Sequence, residues 1–245
     1  MNIKIESKNL GTLIIKLISK EKAKELIINN HYSKKWNAGG FGVYNFGIFQ
    51  FGSEHENECL GVASYGYMKN PKAKIFYHPN PNAWMIELNR MWISDQLGKN
   101  AESILIAHSL KALKKIDKNI VAVQSFADGR LGCGTIYKAS NFKYYGKHQT
   151  IFLENKITGE ITHQQNLTNT TSKSRYIRDN VSYLLGDFNV FKVDTYRYIF
   201  PLCKKFQFKS KAQIYPPYNK GSYPITWLRD KKAIKDRLIE FINTL

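Results

Sequence analysis

His31 and Tyr32 are adjacent in the chain, Asp128 closes an apolar run, and Tyr137 follows it by nine residues. An imidazole, a carboxylate and phenols together form a hard, mainly oxygen ligand set that suits iron better than zinc. Singly, each has a plain structural role too: His31 at a helix terminus, Asp128 as the cap of a turn, Tyr137 in a core. Asp128 leads into Gly129-Arg130-Leu131-Gly132-Cys133-Gly134, where glycines permit a tight turn. That loop lacks the lysine and hydroxyl pair that complete a phosphate loop. Cys133 has no histidine close in sequence to activate it as a nucleophile. His55, His78, His148 and His163 lie in polar stretches and read as solvated.

A second stretch, Leu97-Gly98-Lys99-Asn100-Ala101-Glu102-Ser103, turns a strand into a long helix. Free backbone N–H groups and the helix dipole favour an anion there, a pyrophosphate among them. The plainer alternative is that Asn100 simply caps the helix.

Positioning these residues takes an alternation of strands and helices. Leu13 to Ile18 reads as a strand, and Ser19 as the cap of a helix over Lys20 to Asn30. A glycine-marked hairpin follows, Gly39 to Phe51 with Leu60 to Met68. Trp84 to Ile93 is a strand whose alternation sets Glu87, Asn89 and Met91 against Leu88, Arg90 and Trp92. Ala101 to Ile116 is an amphipathic helix, Ile120 to Phe126 a buried strand, and Thr135 to Ser140 a short helix. An acidic residue at a strand end, facing a glycine loop, is where open α/β sheets usually keep their chemistry. Val193 to Leu202 can be a last strand and Lys231 to Leu245 an amphipathic helix. The fold class is α/β (α+β), a mixed central sheet flanked by helices. Residues 1–155 form its core, and 156–245 a polar loop, a final strand and a basic, aromatic extension on the same domain.

At 43% hydrophobic residues the chain can bury a core, yet no apolar run approaches the roughly 18 residues needed to span a bilayer. Its amino terminus carries Glu6 and alternates like a strand rather than a secretory signal, so the host cytoplasm is the expected location. Cys59, Cys133 and Cys203 are odd in number and far apart, without zinc or disulfide spacing. The 37 Lys and Arg against 19 Asp and Glu leave +18, a self-repulsion that a polyanion would offset, and nucleic acid is the first candidate. From Ser172 onward 15 basic residues face 6 acidic ones, interleaved with aromatics such as Tyr176, Tyr183, Tyr215 and Trp227. Lysines neutralise phosphates and aromatic rings stack on bases. A lysine-covered surface over an aromatic core has the same composition.

The order of elements up to Gly146 resembles the GNAT acyltransferases, and the Gly98 turn resembles their acyl-CoA-binding segment in place and length. The usual Arg/Gln-x-x-Gly-x-Gly/Ala spacing is met only loosely, by Gln96, Gly98 and Ala101. A closer resemblance lies in SFAD (Ser125 to Asp128), the glycine loop and GTIYKASNFKYYG (Gly134 to Gly146). These look like the core of the Mom family, phage proteins that modify adenine in DNA. RMWISDQLGKNAES at Arg90 to Ser103, YRYIF at Tyr196 to Phe200 and IYPPYNK at Ile214 to Lys220 resemble later and middle segments of that family, with Asn219 where proline is usual.

The resemblance implies a GNAT-like fold and conversion of adenine to a carbamoylmethyl derivative on its exocyclic amine, in an anti-restriction role. It implies iron on His31, Tyr32, Asp128 and Tyr137, which would also be the catalytic residues, and DNA as partner. It implies acetyl-CoA or a related donor, with Arg90, Gly98, Asn100, Ala101 and Ser103 as the residues that would hold it. Where the family carries a histidine beside the loop glycine, this chain has Cys133. Simple acyl transfer would leave an amide, so the donor does not follow from the sequence. Two rivals stay open: an acyl-CoA N-acyltransferase acting on a protein or small-molecule amine, and a non-catalytic DNA-binding protein.

Overall fold

The computed structural model describes residues 2–37, 39–54, 57–70, 73, 75–163, 188–221, 225–226 and 231–243. His55, Tyr176, Tyr183, Trp227 and most of the polar stretch expected as a loop or arm lie outside them. In chain order the elements are β1 (Asn2–Ser7), β2 (Gly11–Leu17), α1 (Lys20–Asn30), β3 (Tyr44–Gln50), β4 (Gly61–Tyr67), β5 (Phe76–Tyr77), β6 (Trp84–Ile93) and α2 (Ala101–Ile116). They continue with β7 (Ile120–Asp128), α3 (Thr135–Ala139), β8 (Lys143–Asn155), β9 (Ile161–His163), β10 (Phe188–Pro201), β11 (Gln207–Phe208), β12 (Ile225–Thr226) and α4 (Lys231–Ile242). The chain divides into two compact units, residues 1–126, 134–146 and 197–216 in the first, and 127–133, 147–196 and 217–245 in the second.

In the first unit the strands run β1-β2-β3-β4-β6-β7, followed by the end of β10 and the start of β8. Pairing is antiparallel as far as β6, and β6 pairs parallel with β7. Ser19 caps α1 as expected, its hydroxyl accepting from Lys22 N at 3.1 Å. Ala23, Leu26 and Ile27 on that helix pack against Phe49, Cys59 and Val62 of the sheet. α2 lies against the other face, where Tyr65 Oη and Ser109 Oγ share a buried hydrogen bond. Helices therefore cover opposite faces of β4, because Val62 and Tyr65 point opposite ways. A small ribbon, β5 with β11, sets Phe76 and Phe208 over Met68, Met85, Ala122 and Ile199.

The second unit has its own core of Leu153, Val190 and Ile234, with Phe188 and Leu238 against it. Gly129 N donates to Asp194 O at 2.8 Å, and a Cβ on Gly129 would run into that same carbonyl. Among the described residues no helix is long and apolar enough to cross a membrane.

Gly66 on β4 is where the first unit tolerates least. A methyl group there would collide with Gly40 O and Asn89 Oδ1. Gly66→Ala is expected to cost about 1–3 kcal/mol or more, since backbone has to move. Thermal or denaturant unfolding measures this, and an unchanged midpoint would contradict the crowding.

Candidate active site

The site in the first unit begins with an irregularity in β6. Glu87 pairs with Gly66, Leu88 with Tyr65 and Arg90 with Ser64, so Asn89 is an extra residue on its strand. Such a bulge re-aims the side chains beyond it. Gly66 and Ser64 are two apart on β4 and share a face, and so therefore do Glu87 and Arg90. Strict alternation had put Arg90 on the face opposite Glu87, and the bulge corrects that expectation.

The second irregularity is a parting of strands. β6 and β7 pair from Trp84 with Ile120 to Glu87 with Gln124, and no pair beyond this is formed among the described residues. Groups on the two faces of the sheet can sense one another through such an opening. Ser125, at the start of it, donates to Leu88 O at 3.3 Å and is hydrogen-bonded to Tyr137.

These devices gather His31, Tyr32, Glu87, Arg90, Gln124 and Tyr137 into one electrostatic cluster. His31 is 8% exposed while Tyr32 is 58% exposed, and their rings lie 4.2 Å apart. Burial, with the Arg90 cation as a second cause, lowers the His31 pKa to about 4. Ser33 N donates to His31 Nδ1 at 3.1 Å and Ser33 Oγ lies 2.8 Å from the same nitrogen; with Nδ1 accepting, the neutral ring carries its proton on Nε2 and offers an N–H. Burial raises the Tyr137 phenol above its ordinary value, the Ser125 hydrogen bond and Arg90 opposing and Glu87 adding to the rise. Part of Glu87 reaches solvent, yet desolvation is the main cause raising its pKa. Gln124, Asn89, Arg90 and Arg197 all work against it. Arg90 donates to Asn89 O at 2.8 Å and its guanidinium lies 5.2 Å from the Phe41 ring centroid.

The turn before α2 is shaped by two residues at positive φ. Gly98 has φ 75° and Asn100 is left-handed at φ 75°, without a side-chain capping bond to the helix. The capping alternative for Asn100 is thus not what forms; instead Ser103 Oγ donates to Asn100 O at 2.9 Å. Ala101 is fully buried and begins the helix.

Asp128 lies in the second unit, where Arg130 donates to it from N and Nε at 3.0 Å and from Nη2. That guanidinium sits 4.5 Å from the Phe152 ring centroid. Cys133 is buried. His78 is not simply solvated: Asn80 N donates to its Nδ1 at 3.1 Å and Cys203 Sγ lies 3.5 Å from its Nε2. His163 packs edge-on against Phe152.

Taken one by one, the residues expected to hold iron are engaged otherwise, and the described residues give iron no support. His31 has its lone pair on the nitrogen bonded to Ser33, Tyr137 is held as a phenol, Arg90 is the charge felt by His31 and Tyr137, and the Asp128 carboxylate is committed to Arg130. Among the described residues no group of three or more His, Cys, Asp or Glu could hold a metal ion. Two members of the cluster, Glu87 and Gln124, and Arg197, whose charge acts on Glu87, were not singled out as site residues from sequence. A glutamate and a glutamine inside otherwise apolar strands were the available signal.

The model of the Mom protein family matches residues 12–224. Over 216 residues the chain is 30% identical to the methylcarbamoylase Mom of Escherichia phage Mu, covering 85% of this chain and 84% of that one. Among solved structures, Arabidopsis thaliana NAA60 in complex with acetyl-CoA superposes with a TM-score of 0.50 at 10% identity, over 77% of this chain and 99% of that one. The ribosomal-protein-S5-alanine acetyltransferase of Vibrio fischeri gives a TM-score of 0.43 at 10% identity, over 83% and 98%. The GNAT-like fold expected from the order of elements is borne out by the superposition on NAA60.

The depressed His31 pKa has a sign that can be measured. Between the ordinary value of 6.5 and about 4 the unfolded chain takes up this proton and the folded one does not. Stability is therefore lost as pH falls through that window. Wild type should lose more than His31→Gln in denaturant titrations stepped across it, and parallel curves would contradict the neutral, buried ring.

Proposed function

The chain belongs to the Mom protein family, and on that footing we propose that it adds a carbamoylmethyl group to the exocyclic amine of adenine in DNA. It is a transferase that modifies DNA adenine. The observation that carries the reading is the family match along most of the chain, supported in the fold by the cluster where β6 and β7 part. The net charge of +18 suits a polyanionic substrate.

Roles follow from what each group can do. The start of α2, with Gly98, Asn100, Ala101 and Ser103, offers backbone N–H groups to the phosphates of a CoA-type donor. His31 Nε2–H and Arg90 are donors suited to a carbonyl oxygen on the transferred group. Tyr137, kept protonated by burial, can give its proton to a leaving group. Tyr32, exposed beside His31, meets the incoming base. Asp128 fixes Arg130, whose guanidinium suits a DNA phosphate. Extruding the base lets the amine reach such groups. Iron on His31, Tyr32, Asp128 and Tyr137 is not adopted, because those residues are engaged as described above, and no step is routed through a metal.

The test is mass spectrometry of nucleosides from plasmid DNA of cells expressing the chain, against a vector control. The expected product is a 2′-deoxyadenosine derivative heavier by one C2H3NO. Carbamoylmethyl and methylcarbamoyl adducts are isomers, and loss of methyl isocyanate on fragmentation would mark the latter. Asp128→Asn and Tyr137→Phe should abolish the product in folded, soluble protein. Unmodified nucleosides from soluble wild type would remove the reading. Titration with acetyl-CoA checks the donor separately: binding weakened by Arg90→Met supports it, and no binding removes the CoA part alone.

A further inference from the structure

Three polar side chains on neighbouring strands form a row that the roles above leave unused. Gln124 on β7 donates from Nε2 to Glu87 Oε2 on β6 at 2.8 Å, at the last paired position of those strands. β10 is the next strand. Leu202 N donates to Val121 O at 2.9 Å, while the Arg197 guanidinium lies 5.2 Å from the Phe126 ring centroid. One strand's numbers fall as the other's rise, so the two run antiparallel and Arg197 faces Phe126. Gln124 is then the diagonal neighbour of Arg197, within the reach of long side chains. The charges of Glu87 and Arg197 act on each other.

Gln124 is 4% exposed. Its Oε1, and Arg197 Nε, are shut off from solvent with no hydrogen-bond partner among the described residues. Buried polar atoms are seldom left so, because an unmet donor or acceptor is costly. Glu87 decides which end of Gln124 is offered. A carboxylate only accepts, so the amide NH2 turns toward it and the carbonyl turns away. What remains is an acceptor and a donor on diagonal neighbours of adjacent strands, with Phe126 and Phe208 rings 5.2 and 5.9 Å from the guanidinium as apolar flanks.

We propose that Gln124 and Arg197 read the adenine base itself. Gln124 Oε1 accepts from the exocyclic amine, Arg197 Nε donates to the ring nitrogen beside it, and Glu87 is the positioning residue that locks the glutamine. This rests on the adenine-modifying reading above and adds how the base is chosen. Adenine presents an amine next to a bare ring nitrogen, which the pair matches. Guanine and thymine present a carbonyl where the amine should be, and that oxygen would face Gln124 Oε1. Cytosine matches in sign and differs in having a single ring. The amine keeps its second N–H and its nitrogen open to react.

The experiment compares binding of the full chain to single-stranded oligonucleotides carrying one adenine or one hypoxanthine in a thymine tract. Fluorescence anisotropy reads affinity, at salt high enough to suppress backbone-driven binding. Hypoxanthine puts a carbonyl in place of the amine, and wild type should bind it roughly tenfold more weakly or worse. In Gln124→Met and in Arg197→Met, each checked for folding, most of that difference should vanish. Equal affinity of wild type for both oligonucleotides, or variants that keep the whole difference, overturns the inference. Whether the chain modifies DNA is read separately from cellular nucleosides. Modification without base discrimination sinks this proposal alone, and discrimination without modification sinks the enzymatic reading alone.

Discussion

A glutamate carried inside a sheet is the constraint that organises the first unit. Glu87 is largely desolvated, and a buried carboxylate is tolerated only with hydrogen bonds and opposite charge around it. Gln124 and Asn89 supply the hydrogen bonds, Arg90 and Arg197 the charge. Each comes from a specific geometric device. Parallel register brings Gln124 alongside, the extra residue at Asn89 swings Arg90 onto the right face, and the placing of β10 beside β7 brings Arg197.

Those partners also set the surroundings of the aromatic and imidazole groups. Arg90 is felt by His31, Tyr32, Glu87 and Tyr137 alike, so one guanidinium lowers a histidine pKa, favours a carboxylate and works against the burial that holds a phenol protonated. A site so arranged offers donors: an imidazole N–H, a guanidinium, a phenol. Donors fixed in advance stabilise charge that develops on a substrate oxygen. Of these groups only the guanidinium carries a charge, and that charge acts on both His31 and Tyr137.

Much of the scaffold was legible in the chain. Ser19 capping α1, the span of α2 and the buried strand before Asp128 follow from local periodicity and capping chemistry, and form where expected. What could not be read locally is the bulge, because a two-to-one pairing leaves no trace in the alternation of WMIELNRMWI. Arg197 was hidden for a different reason. Its neighbours depend on a strand late in the chain entering between β7 and β8, and sequence proximity says nothing of that. Asn100 shows the limit of residue preference: asparagine suits a helix cap, but it also tolerates the left-handed conformation, and here the turn takes the second property.

Modifying the amine of adenine poses a chemical problem that the cluster helps to frame. An adenine amine is a poor nucleophile because its lone pair is drawn into the ring. An aliphatic amine needs only to lose a proton, whereas adenine must be held so that electron density returns to nitrogen. Hydrogen bonds from the amine to a carbonyl push density in that direction, and a cation against the ring nitrogen pulls the other way. The balance depends on which is the more fixed. Gln124 is locked by Glu87 and buried, while Arg197 is half-buried beside two rings. The geometry thus sets the hydrogen-bonded, more deeply buried contact at the amine, where the new bond forms, and leaves the less buried one to recognition.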